Sequence, residues 1–285
     1  MRLSMTQFSR GLYTKAIDED VFSRAATVAF YFSFAFFPLL LFLVSLFGVV
    51  LENAAGMRAE LFAYLKQIMP PSAFELVQAT IYEVILGSSS STLTFGLLIA
   101  LWSASAGFDN LRIALNAVYN IREKRAWQKR TLIVLLLTIC IGLLITIALG
   151  FIFNGPLILE WALGDFTPVL FRILGWFVIL ITVFTGFMMI FSVLPNYPKK
   201  SKRKLVPGAI FCVIFWIGLS AAFRIYLHYF DTYSKMYGSL GAMIILMLWL
   251  YLTALVILLG GIINSILMGN NEPEPEPNLD KLVEA

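Results

Sequence analysis

Two stripes of polar side chains interrupt otherwise apolar sequence. In the first, Ser105, Asp109, Arg112 and Asn116 recur at spacings of four, three and four. In the second, Ser220, Arg224, His228 and Asp231 recur at four, four and three. Either pattern puts four polar groups on one face of a helix. Ionisable groups at membrane depth are costly, so both stripes are candidate linings of a polar cavity. Asp109 and Arg112 can pair within their own helix. The alternative for that stripe is an interfacial ion pair hydrogen-bonded to a neighbouring helix. Arg224 could serve as counter-charge for an anionic group, with His228 as hydrogen-bond or proton partner. Otherwise its long side chain snorkels to the headgroups.

Hydrolytic chemistry is hard to assemble from this chain. It has one His and two Cys, which give no structural zinc spacing. A metal-dependent nuclease needs clustered His, Asp or Glu to activate water, and no Ser or Cys has a convincing base partner. The expectation is therefore no catalytic residue, no metal, no cofactor and no enzyme. Cys140 and Cys212 fall mid-run and read as small packing residues.

The stripes need long helices to hold them. Six apolar runs supply these, at about Ala25–Leu51, Leu93–Leu111, Leu132–Phe153, Val169–Leu194, Val206–Phe230 and Leu240–Met268. Each approaches or exceeds the roughly 20 residues that cross a bilayer core as helix. The 285 residues are 60% hydrophobic and 13% charged, which suits a bundle in lipid. The runs are continuous rather than alternating, which excludes a barrel. The predicted fold class is all-α, a polytopic membrane protein of six transmembrane helices with short interfacial amphipathic helices.

Lys and Arg set the orientation. They crowd the N-terminal stretch, the segment from Arg112 to Arg130, and Lys199, Lys200, Lys202, Arg203 and Lys204. The loop Asn154–Pro168 has none. Both termini are thus expected in the cytoplasm. The net charge of +4 is mainly topological. The 199–204 cluster reads as an anchor touching anionic lipid headgroups, not as a nucleic-acid site.

Three segments follow. Residues 1–24 form a cytoplasmic amphipathic stretch in which Asp18, Glu19 and Asp20 mark a helix start. Residues 25–268 form the bundle, with an external loop over 52–91 predicted as two amphipathic helices broken at Pro70-Pro71. Residues 269–285 are an acidic Pro/Glu tail predicted to be disordered. Pro38 sits mid-run and predicts a packing bend or a hinge. Gly142 and Gly150, with Gly260, Gly261 and Asn264, predict close helix approach.

Several stretches resemble the YihY/BrkB family of bacterial inner-membrane proteins, some of them historically labelled ribonuclease BN. They are Arg24-Ala25-Ala26 to Phe37-Pro38-Leu39-Leu40, Leu101-Trp102-Ser103-Ala104-Ser105 with Ala114-Leu115-Asn116, and Leu194-Pro195-Asn196 with Val206-Pro207-Gly208-Ala209. Tyr237-Gly238-Ser239-Leu240-Gly241 and Leu248-Trp249-Leu250-Tyr251-Leu252 complete the set. The resemblance implies a six-helix protein of the cytoplasmic membrane, described as a transporter or exporter with links to the envelope. The chain departs from that pattern at Ile262, where relatives usually place Glu. Two functions stand: export of an anionic or lipid-like envelope compound, or a non-transporting membrane scaffold.

Overall fold

The computed structural model describes residues 5–53, 90–163, 168–197, 204–229 and 231–269, with 59, 62, 78 and 82 singly. The described residues form helices and short connections, without strands. The helices are α1 (Met5–Asp18), α2 (Val21–Asn53), α3 (Ser90–Val118), α4 (Trp127–Leu163), α5 (Pro168–Val193), α6 (Val206–Tyr229) and α7 (Asp231–Met268). In lipid, a helix satisfies its backbone groups internally, so long apolar runs have few other options. Among the described residues, five helices contain stretches long and apolar enough to cross a membrane: Val21–Leu39, Trp127–Phe151, Ile173–Val193, Val206–Tyr226 and Met243–Met268. The remaining run lies in α3, whose 29 residues extend about 44 Å.

Two helices outrun their expected lengths. α4 continues to Leu163, through most of the expected loop Asn154–Pro168, and α7 begins at Asp231 rather than Leu240. Hydropathy alone ends a run where polar residues begin, but a helix can continue beyond the hydrocarbon. The helices expected within 52–91 and the tail from 270 lie outside the described residues, apart from single positions. Of these, Phe62 and Tyr82 pack ring on ring at 5.7 Å. Pro38 lies within α2, which continues as helix on both sides of it.

The chain forms two compact units, one of Tyr31–Ala106 and one of Met1–Phe30 with Gly107–Ala285. In the first, α2 and α3 approach closely at Gly96. A Cβ there would lie 3.2 Å from the Phe42 backbone.

In the second unit, α4 packs on α5, α5 on α6, α6 on α7 and α1 on α7. α6 and α7 run antiparallel. Gly208 meets Gly260 and Asn264, the Cys212 thiol donates to Val256 O at 3.4 Å, and Trp216 meets Trp249 edge-on at 6.1 Å. A Cβ on Gly208 would collide with Gly260 O and Asn264, and one on Gly260 with Cys212 Sγ. One on Gly261 would sit 2.9 Å from Leu115 Cδ2 of α3. These are the close approaches that Gly260, Gly261 and Asn264 lead one to expect.

Gly142 and Gly150 do not behave that way. Nothing described lies within 4 Å of a Cβ on either, and both are exposed on α4. Among the described residues, both fall on an exposed side of α4. Cys140 is also exposed, whereas Cys212 is buried as a packing residue should be. Leu136, Leu143 and Ile147 of α4, Trp176 and Ile181 of α5, and Ile214 and Phe215 of α6 are exposed too. An apolar surface this extensive is one that lipid would cover.

Candidate functional site

The C-terminal turns of α3 and the loop to α4 hold a network of charged side chains. Two residues beyond the end of α3, Asn120 has a left-handed φ of 53°. The Asn120 amide donates to Ala117 O at 2.8 Å and the Ile121 amide to Asn116 O at 2.8 Å, closing a Schellman motif. Asn is among the residues that enter this region most readily. The turn sends the loop back beside the last turns of α3.

Glu123 then lies against Arg112 and Asn116. Arg112 is only 2% exposed. Its Nε donates to Asp109 Oδ1 at 2.8 Å and its Nη1 to Glu123 Oε2 at 2.6 Å. Asn116 Nδ2 donates to the same oxygen at 3.2 Å. Arg125 donates to Glu123 through its Nε and Nη2, both at 2.8 Å, and through its backbone amide at 3.0 Å. One carboxylate thus accepts from five donors. Burial alone would raise the pKa of Glu123. The hydrogen bonds from Arg125 and the charges of Arg125 and Arg112 outweigh it and bring the carboxyl to about 2. It is ionised at any neutral pH.

The network reaches a second helix. Arg125 Nη2 donates to Leu194 O at 2.6 Å, and Nη1 to Val193 O at 3.4 Å. These carbonyls end α5 and have no intrahelical partner, so Arg125 acts as a side-chain cap on a negative dipole end. The Asn196 amide donates to Asn116 Oδ1 at 3.0 Å, and Asn196 Nδ2 to Arg122 O at 3.4 Å. Arg130 Nε lies 3.7 Å from Asp109 Oδ1.

Beside it lies a buried polar contact among α3, α6 and α7. Asn264 is fully buried; its Oδ1 accepts the Gly208 amide at 2.7 Å, and its Nδ2 donates to Tyr119 Oη at 3.4 Å. Gly208 is in the first turn of α6, where amides lack helical partners, so Asn264 caps α6 from another helix. Tyr119 packs edge-on against Tyr197 at 5.3 Å. Burial pushes its phenol up to about 12.

The α1–α2 corner adds three more titratable groups. Asp20, with φ 48°, immediately precedes α2 and accepts from Ser23 Oγ at 2.9 Å. Lys15 Nζ donates to Ser265 Oγ at 2.7 Å. With its amide nitrogen turned toward Glu19, Asn120 donates to Glu19 Oε1 at 2.9 Å. Burial lowers the pKa of Lys15, opposed by the charge of Glu19. Burial likewise raises that of Glu19, opposed chiefly by Lys15.

Of the first stripe, Asp109, Arg112 and Asn116 are thus brought together, hydrogen-bonded to groups of the following loop and of the segment after α5. Ser105 donates to Leu101 O at 2.7 Å within its own helix. The second stripe does not join them. Arg224 is exposed, and it lies sixteen residues along α6 from Gly208, about 24 Å away. Ser220 Oγ is shielded and makes no hydrogen bond among the described residues. The side chains of His228 and Asp231, and residues Lys199, Lys200, Lys202 and Arg203, lie outside those described. Lys204 is exposed. Among the described residues, no three His, Cys, Asp or Glu converge as metal ligands would. Glu123, Arg125 and Asn196 are the residues that the spacing rule did not select.

Residues 12–282 match the family profile described as Virulence factor BrkB. YfkH of Bacillus subtilis, whose name describes it as ribonuclease-like, is 31% identical over 266 residues, covering 91% of this chain and 94% of that one. A UPF0761 membrane protein of Haemophilus influenzae is 26% identical over 90% of this chain and 93% of its own. Another, from Pseudoalteromonas translucida, is 22% identical over 94% and 88%. No solved structure matches the chain. The motif Leu194-Pro195-Asn196 and the residue Asn116 thus meet in one hydrogen-bonded network, within a chain that belongs to the BrkB family of membrane proteins.

Proposed function

We propose that this protein is a non-enzymatic component of the bacterial cytoplasmic membrane that transports or exports an anionic, lipid-like envelope compound. The observation that carries the reading is Arg224, an exposed cation two residues inside the end of the apolar stretch Val206–Tyr226. A guanidinium at such depth is strongly favoured by a nearby anion, and its planar fork suits a phosphate or carboxylate. The exposed surface of the same helix is otherwise apolar at Ile214, Phe215, Ile217 and Ile225. A cation at one end of such a face matches an amphiphile with an anionic head and apolar chains. The Lys and Arg distribution supports placing both termini in the cytoplasm.

The test compares Arg224→Gln and Arg224→Lys with the parent protein in proteoliposomes, following translocation of a fluorescent anionic lipid. Arg224→Gln should abolish translocation, and Arg224→Lys should retain part of it. Parental rates for Arg224→Gln at equal protein level would refute the reading.

A scaffold is the second reading, favoured by the consumption of Asp109, Arg112 and Asn116 in contacts that fasten helices. It requires a stoichiometric partner that co-purifies after crosslinking and survives Arg224→Gln.

A further inference from the structure

We propose that the α3–α4 loop and the first turn of α4 form a docking site for anionic phospholipid headgroups of the adjacent leaflet. This rests on different residues from the proposal at Arg224. Arg122, Lys124 and Lys129 are exposed on this segment, and Trp127 is 68% exposed at the start of α4. Glu123, the one acid between Tyr119 and Arg130, is turned inward and held by Arg112 and Arg125. The outward rim is therefore cationic.

Its depth follows from α4. The exposed apolar face of that helix begins at Leu132 and continues at Leu136. Trp127 lies five residues earlier, about 7.5 Å along the axis. That places an amphipathic ring near the hydrocarbon boundary, with Arg122 and Lys124 just beyond it at headgroup level and Lys129, two residues further along α4, able to snorkel back to them. A soluble anion would use the cations and leave Trp127 and Leu132 without a role; a phospholipid uses all of them.

The loop is also held still. Arg125 ties it to Leu194 O, and Asn196 Nδ2 donates to the carbonyl of Arg122 itself. Cations carried on a fixed backbone bind with less ordering cost than the same cations on a free one.

The full chain would be placed in phosphatidylcholine nanodiscs with increasing phosphatidylglycerol, and retained lipid counted by native mass spectrometry after extraction. The parent should retain phosphatidylglycerol in preference to phosphatidylcholine, and rising salt should weaken that preference. Joint Arg122→Gln, Lys124→Gln and Lys129→Gln should reduce it by about fivefold per cation, on the order of a hundredfold together. Brominated phosphatidylglycerol should quench a fluorescence component missing from Trp127→Phe, and should do so more than brominated phosphatidylcholine. Arg224→Gln should leave the Trp127 quenching preference unchanged, a readout local to this site, which separates failure here from failure at Arg224. Equal quenching by the two lipids in the parent, or full phosphatidylglycerol preference in the triple variant, would overturn the site. So would a Trp127 quenching preference lost through Arg224→Gln alone, or one displaced by inorganic phosphate at constant ionic strength.

Discussion

Replacing Glu123 by Gln removes one negative charge and little volume. The carboxyl lies at about 2, against an ordinary 4.5. At 1.36 kcal/mol per unit, this difference corresponds to about 3 kcal/mol of favourable interaction with the ionised form. That agrees with the roughly 3–5 kcal/mol lost when one partner of a buried pair is removed, since Arg112 keeps its charge. The folded pKa is depressed, so the contribution is complete above about pH 5 and fades as pH falls through 2. Glu123→Gln should therefore unfold about 3 kcal/mol more easily at pH 7 in bicelles. It should also show a shallower loss of stability between pH 5 and 2. Hydrogen exchange should rise at the Arg125 and Asn196 amides, which bond to Glu123 and Asn116. A variant with parental stability at pH 7 and the parental acid slope would refute the assignment of Glu123 as the hub.

Four further outcomes are expected. Gly260→Ala, which drives a methyl into Cys212 and toward Gly208 O, should destabilise the bundle by about 1–3 kcal/mol in the same unfolding assay. Gly142→Ala, with nothing described nearby, should be neutral or gain up to about 1 kcal/mol from helix propensity. Asn264→Leu leaves the buried Gly208 amide without its acceptor and should cost about 1–3 kcal/mol, read as faster hydrogen exchange at the start of α6. Tyr119 should ionise near pH 12, so ultraviolet titration of Tyr119→Phe should lose a late-titrating phenol. Because this folded pKa is raised above 10, the parent should lose stability between about pH 10 and 12, and Tyr119→Phe should lose less.

The helices were legible because apolar continuity over 20 residues leaves the backbone few alternatives, but their ends were not. The polar start of α7 at Asp231 carries no apolar signal. The helical spacing of Asp109, Arg112 and Asn116 was also legible, since it is fixed by the backbone. Their partners were not, because Glu123 and Asn196 arrive through a turn and from another helix. One clue lay in the segment Tyr119–Arg130, where a single Glu stands among Arg and Lys. Counting only its basic residues, as orientation requires, passes over the residue that organises them. Period alone does not say which side of a helix faces a neighbour, and among the described residues nothing lies within 4 Å of a Cβ on Gly142. At Gly260 the side is fixed by Cys212 and Gly208, which stand against it.

The cap that Asn264 gives to α6 bears on how the chain enters the membrane. During synthesis, the start of α6 leaves the ribosome more than fifty residues before Asn264 does, so its Gly208 amide waits without its native acceptor. The glycine surfaces of α6 and α7 and the Trp216–Trp249 contact likewise become complete only when the second helix arrives. The two are separated by a single residue and are built to enter as a hairpin, with Asn264 among the last contacts to lock. A chain arrested before Asn264 emerges would hold α6 in a form that membrane quality control can distinguish from the finished pair.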